Sequence, residues 1–302
     1  MGKVYRQQRV EGTTISAVIR NGSYFWHSMA VYEDGTVSVW EKVDLDAVPQ
    51  KIANKKLCFS VPVGEELSIF ELCCLKITYA EWNYDERSFY DHIVDTVKSM
   101  NPEMENIYRT SPREQAKWKE HRVVFSASPT PCKLGASFGY ELLKGDNAHI
   151  FLRKDGKLTL TELYCYKDET FSVDGLDGFF NFSDIERMFK DKFLTTKPRK
   201  GERITLGDLG EVEAEASRAV SLKNKLAELQ NKSLRVQGKP DAHDAAINAY
   251  HAYLVEPNDF YKERLREAYE AVPEHERMYL GDMDTRDGDF RRILYSDEKR
   301  EV

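Results

Sequence analysis

No apolar run in the chain approaches the roughly 18 residues that cross a bilayer, so no membrane span is expected. The opening MGKVYRQQRVEG has no apolar core of the kind a secretory signal needs, and no Ser or Thr follows Gly2 at the position myristoylation requires. A cytoplasmic protein is the expectation. Cysteine is sparse and odd in number: Cys58, Cys73, Cys74, Cys132 and Cys165, with no CxxC pair. Neighbours Cys73 and Cys74 on a strand point to opposite faces and so share neither a disulfide nor a zinc. Reduced, buried thiols follow.

Excess positive charge is also missing. Lys and Arg number 44 against 51 Asp and Glu, a net of −7, so direct nucleic-acid binding is not expected. The acidity is concentrated: from Gly238 onward ten Lys and Arg face sixteen Asp and Glu, a net of −6. Motifs that carry chemistry are absent as well. There is no GxxxxGK[ST] phosphate loop, no GxGxxG turn after a strand, no GxSxG elbow and no HExxH. The seven histidines are scattered, and His243 and His251 stand too far apart for a helical ligand pair. These gaps argue against an enzyme and against a bound cofactor or metal.

What the chain does have is 12% aromatic and 41% apolar residues over 302 positions, enough for two domains or for one domain and an arm. Its clearest feature is residues 14–45, where three apolar-rich runs are separated by Asn21-Gly22 and Asp34-Gly35. Both dipeptides accept the positive φ of type I′ turns, and the third run alternates Val37, Val39 and Glu41 against Ser38, Trp40 and Lys42. A three-stranded meander is predicted. A short helix ending near Asn54, further strands over 57–63 and 67–82, and a helix from Glu86 capped by Asp85 follow. Phe89, Ile93, Val97 and Met100 share one face of that helix. A second short helix is predicted after Ser111, and 126–135 reads as a turn-rich connector.

Beyond it a second meander is predicted over 138–143, 148–153 and 157–166, then a helix over 183–193 with a Ser183/Glu186 capping box. YEDGTVSVWE from Tyr32 and RKDGKLTLTE from Arg153 share an Asp-Gly turn and an alternating strand. Two meanders that needed the same turn chemistry explain this more simply than a duplication. After 195–202 the pattern Leu209, Val212, Ala216, Ala219, Leu226, Leu229 predicts a helix over 208–234, roughly 40 Å long. Asp241 caps another, and a third over 260–271 completes a helical hairpin in which Ile247, Tyr250 and Leu254 face Tyr261, Leu265 and Tyr269. The fold class is α+β: two antiparallel β-meander/helix units and a mainly α-helical C-terminal region. The expected domains are 1–125, 126–197 and 198–302.

Aromatics crowd both meanders: Tyr24, Phe25, Trp26, Tyr32 and Trp40 in the first, Phe171, Phe179, Phe180 and Phe182 after the second. Such residues dominate cores and also the centres of interfaces. With the amphipathic arm they point to a partner-binding protein, and Trp26, Trp40, Leu226, Leu229, Tyr250 and Tyr269 are the candidate partner-binding residues. The acidic tail GDMDTRDGD offers Asp282, Asp284, Asp287 and Asp289, but Gly288 and Ile293 fall where a calcium loop needs another residue. Those carboxylates support only an alternative reading, a metal-dependent nuclease or hydrolase; a toxin-immunity protein is a third.

VYEDGTVSVWEKVDL (residues 31–45) and YLGDMDTRDGDFRRILY (residues 279–295) resemble segments of uncharacterised bacterial and phage proteins. In its size, modularity and lack of active-site motifs the chain is also similar to the phage family that inhibits the Gabija anti-phage system. That resemblance implies a non-catalytic homo-oligomer that surrounds a bacterial defence nuclease–helicase complex in the host cytoplasm and blocks its handling of DNA. No functional residue carries over from it.

Overall fold

The sequence from Gly12 to Tyr32 splits into two equal halves about one glycine, and the chain folds it that way. The computed structural model describes residues 10–111, 143–282 and 284–296. β1 (Gly12–Asn21) and β2 (Ser23–Tyr32) pair antiparallel from Gly12 opposite Tyr32 to Asn21 opposite Ser23. β3 (Thr36–Ser38) returns on β2, and β4 (Lys42–Asp44) returns on β3. The single third strand expected through Lys42 is therefore broken at Trp40. Its φ of 64° reverses the chain, with the Val39 N–H donating to the Glu41 carbonyl. α1 (Val48–Ala53) has Pro49 in its first turn and Asn54 as its C-cap. β5 (Leu57–Cys58) pairs back on β1, and β6 (Glu66–Ile69) runs parallel to β2, a pairing the all-antiparallel expectation missed. β7 (Cys73–Trp82) leads to α2 (Glu86–Met100), where Asp85 and Ser88 form the cap and Phe89, Ile93 and Val97 are buried.

The described chain resumes with β8 (Gly145–Lys154) and β9 (Lys157–Tyr166), again two ten-residue strands in register. β10 (Phe171–Val173) returns on β9. α3 (Phe182–Lys190) is capped by Asn181 in a reciprocal box with Asp184, two residues earlier than the expected Ser183 box. β11 (Leu194–Thr195) pairs back on β8. The helix expected over 208–234 is two elements. β12 (Arg203–Thr205) pairs with β13 (Gly210–Ala219), in which Gly210, Val212 and Ala214 are buried and Glu211, Glu213 and Glu215 are not. That is a period of two, and the glutamates between small apolar residues mimicked a helical stripe. α4 (Leu222–Gln237) starts at the Ser221 cap and ends at Gly238, φ 74°. α5 (Ala242–Val255), α6 (Asp259–Ala271), a 3-10 turn at Arg277–Tyr279 and α7 (Gly288–Tyr295) complete the chain. Asp241 caps α5 as the sequence predicts. The helix after Ser111, the connector over 126–135, His121, Cys132 and most of the strand over 138–143 lie outside the described residues.

The molecule is α+β and divides into two compact units. One comprises residues 10–70, 74–111 and 199–217; its strands lie in the order β5-β1-β2-β6-β7-β13-β12. The other comprises 71–73, 143–198 and 218–296 apart from 283, with strands β11-β8-β9-β10. A core of Ile150, Leu163, Phe171, Ile185, Phe189 and Leu229 fills the second unit's sheet–helix interface. Ala246, Leu265, Tyr269, Leu280, Phe290 and Leu294 form a separate core among its C-terminal helices. Among the described residues no helix is long and apolar enough to cross a membrane.

The order of elements occurs twice. Each copy has a ten-residue hairpin, a third strand on the second, a short helix and a two-residue strand returning to the first. A short strand, a ten-residue strand and a capped helix follow. The copies stand 133 residues apart at their start (Gly12 and Gly145) and 137 at the long strand (Cys73 and Gly210). Hydrogen bonds repeat with the elements. Asp34 Oδ1 accepts from the Thr36 N–H and hydroxyl, as Asp168 Oδ1 does from Thr170. The Arg20 N–H donates to the Lys56 carbonyl, as that of Arg153 does to Phe193. Lys55 and Lys192 end their helices at φ 57° and 62°. The chain is thus an internal duplication, and YEDGTVSV aligns with YKDETFSV from Tyr166. The comparison with RKDGKLTLTE matched like dipeptides from different turns. The copies are interlocked: the β12–β13 hairpin of the second belongs to the first unit, where the Asn83 N–H donates to the Leu209 carbonyl. Reciprocally, Glu71–Cys73 of the first copy belongs to the second unit, where the Val220 N–H donates to the Leu72 carbonyl.

Candidate functional site

Trp40 is the exposed aromatic whose backbone is most at odds with its side chain. An indole residue in the left-handed region costs on the order of 1–3 kcal/mol, and such outliers persist where the surroundings impose them. Here β3 and β4 impose it from both sides. The ring is 53% exposed and rests on Phe25, centroids 5.4 Å apart. It forms one wall of a groove of about 280 Å³, whose floor is Ile19, Val39 and Leu57 and whose rim is Arg20, Lys51, Lys56 and Glu41. β1 supplies Ile19 and Arg20; the return of β5 onto β1 supplies Lys56 and Leu57. Lys51 is paired with Glu41, while Arg20 lies over the Tyr24 ring. A flat apolar surface beside guanidinium and ammonium groups suits an apolar segment that also carries a carboxylate. In the second copy Asp174 stands where Trp40 does, and it accepts a hydrogen bond from Tyr164. The groove is particular to the first copy.

The other sequence candidates are dispersed. Trp26 is half-buried on β2, and Leu226 packs against the second unit's core. Leu229 is fully buried in that core, and Tyr269 is buried in the C-terminal one with Tyr250 packed beside it. Leu229 and Tyr269 therefore have no surface to offer a partner; helical spacing marks an apolar stripe without telling which neighbour covers it. Arg20 and Lys56 carried only a faint signal, since the pairing of β5 on β1 that joins them is not local in sequence.

The densest set of displaced titratable groups lies in the second unit and is sealed. Lys225 and Glu228 on α4 are both 0% exposed. The Lys225 ammonium donates to both Glu228 oxygens, at 2.8 and 3.0 Å, and to the Glu71 carbonyl at 3.0 Å, which uses all three protons. Burial pushes the lysine's pKa down. Burial alone would raise Glu228, but His275 at 2.8 Å and Lys225 hold it below its ordinary range. Lys232 pairs with Glu71 at 3.1 Å, and burial pushes Glu276 up. Displaced pKa values of this kind also mark catalytic sites. Here all three Lys225 protons are spent inside the chain, and the Lys225–Glu228 pair has no exposed surface for a substrate to meet. Burial likewise pushes the Cys58 thiol up and Cys165 to about 11, away from thiolate reactivity. In the tail, Asp282 accepts from the Asp284 and Thr285 N–H groups, Asp287 from the Tyr269 hydroxyl, and Asp289 pairs with Arg292. Among the described residues no three His, Cys, Asp or Glu side chains converge on a metal position.

Two family models match the sequence. The model "Domain of unknown function (DUF7638)" matches residues 1–104 and 135–240, the two stretches that carry the repeated element order. "Domain of unknown function (DUF7639)" matches residues 241–301, from the Asp241 cap onward. No curated protein and no solved structure matches the chain.

Proposed function

The chain belongs to the DUF7638 family of domains of unknown function, and from that premise we propose that it is a non-catalytic protein-interaction protein whose Trp40 groove receives its partner. The supporting observation is Trp40 itself, an aromatic side chain held out to solvent at a cost in backbone strain, beside Arg20 and Lys56. Buried aromatic anchors flanked by arginine carry most of the free energy of typical interfaces. The partner segment is apolar with an acidic group. Its source is a bacterial defence nuclease complex, as the resemblance to the Gabija inhibitors implies, and the working form is a homo-oligomer in the host cytoplasm.

The test is affinity capture from bacterial extract with the wild type and with Trp40→Ala, followed by calorimetry on the recovered partner. Loss of one central aromatic anchor lowers affinity by about thirtyfold, or about 2 kcal/mol. A partner that binds Trp40→Ala as tightly as wild type overturns the assignment of the groove. A strictly monomeric mass in light scattering, free and bound, removes the oligomer.

A further inference from the structure

The second unit holds two apolar cores, and polar groups join them. The sheet, α3 and α4 build one core; α5, α6 and α7 build the other with Val272 and Leu280. Arg235 on α4 donates to Asp241 at 2.7 and 3.1 Å, and the Ala242 N–H donates to the Asn231 side chain at 3.3 Å. His275 meets Glu228 at 2.8 Å. The C-terminal helices are thus tied to α4 through charges and hydrogen bonds, at the ionic row of Lys225, Glu228 and Lys232.

α2 shows that a helix in this position can do without such a row. Counted from the caps Asp85 and Ser221, Lys225 stands where Phe89 does, Glu228 where His92 does and Lys232 where Thr96 does. An ion pair in place of a buried ring is often the less stable choice. The charges of the row also fail to balance. The carboxylates of Glu71, Glu228 and Glu276 are set against the two ammonium groups of Lys225 and Lys232. Arg235 and Asp241 cancel each other, and Asp146 on β8 adds one more negative charge at the margin. Buried charge left without a counter-ion takes up a proton instead. His275 is a poor holder for it. The ring's Nε2–H serves Glu228, while Nδ1 is buried without a partner, so an imidazolium would bury an unpaired N–H. Glu276 is the next residue and is 8% exposed. It is surrounded by Glu228, Glu71, His275 and Lys232, with Arg235 and Tyr279 also within its field.

We propose that Glu276 is a proton latch: it is protonated while the C-terminal helices sit on α4, and its ionisation as pH rises loosens those helices as one unit. Burial, then the Glu228 and Glu71 carboxylates, push its pKa above the ordinary 4.5. A docked value above the released one gives docking free energy that is complete below pH 4.5 and lost as pH rises through the raised value. Glu228 and Asp241 are displaced downward, so their contributions are complete above 4.5 and 3.8 and do not change across the same window. The latch lies apart from the Trp40 groove and does not rest on it.

The test is native-state hydrogen exchange of the full chain, read by mass spectrometry from about pH 5 to about pH 8 and corrected for intrinsic exchange. Amides of α5, α6 and α7 are expected to open together, more readily than those of β8 and β9, with an opening constant that rises about tenfold across the range. Glu276→Gln keeps the neutral form at every pH; its opening constant should stay at the wild type's low-pH value. His275→Gln should retain the rise. Opening of the wild type that is indifferent to pH overturns the proposal, as does exchange of α5–α7 only together with β8 and β9. A rise that survives Glu276→Gln but disappears in His275→Gln moves the proton to the imidazole and overturns it equally.

Discussion

Trp40, Gly210 and Asp241 show three ways in which one residue holds a local geometry. Trp40→Gly relieves the left-handed strain but forfeits the Phe25 contact, terms of about 1 kcal/mol each and opposite sign. Its denaturation midpoint should stay near wild type while partner binding is lost, a separation of stability from function that Trp40→Ala cannot give as cleanly. Gly210 has φ 143°, and a Cβ there would collide with the Glu81 carbonyl oxygen. Gly210→Ala should cost more than about 3 kcal/mol, read as a shifted urea midpoint, because neither backbone can yield. Burial alone would raise Asp241, but the Asp244 N–H and Arg235 bring its carboxyl below the ordinary 3.8. A folded value below the unfolded one gives stability that is present above pH 3.8 and lost as pH falls through the lowered value. Asp241→Asn should flatten that part of the acid-unfolding curve.

At the scale of elements, α4 carries apolar side chains on one face and a buried ionic row on another. Lys225→Met or Glu228→Leu alone breaks a buried ion pair, leaving Glu228 with His275 or the Lys225 ammonium with only the Glu71 carbonyl, and should cost about 3–5 kcal/mol in chemical denaturation. The double change should cost less than either single one, since it removes both charges together. The sequence made some of these elements plain and hid others. Asp85, Asn101 and the Phe89/Ile93/Val97 stripe announce α2 because capping and burial act within one turn. The sequence of β13 predicts a helix because Val212, Ala216 and Ala219 also satisfy a spacing of three and four; only pairing with β12 decides. The Trp40 break was invisible for a related reason: no local rule puts a tryptophan at positive φ.

For the whole molecule, the repeated order of elements was half legible. The turn dipeptides suggested it, but like was matched to unlike because Asp155-Gly156 resembles Asp34-Gly35 more than Asp168-Glu169 does. Hydrogen bonds identify the true pairs. The interlocking of the copies was not legible at all, since it rests on which turn Asn83 and Val220 meet. It predicts that residues 1–140 and 141–302, made separately, remain unfolded by circular dichroism and regain native signal when mixed. Two fragments that fold alone would contradict the exchange of Leu209 and Leu72.

That exchange also sets a clock on synthesis. The first unit is complete only when residues 199–217 have left the ribosome, long after α2 has done so. At roughly 5–20 residues per second the wait is on the order of ten seconds. Throughout it β7 is a sheet edge with no β13 beside it, and His92 lacks the Asp208 carboxylate that lies 2.7 Å away in the finished protein. An unpaired edge of that kind invites aggregation of the nascent chain, and slowing translation between the two copies should lower the yield of folded product.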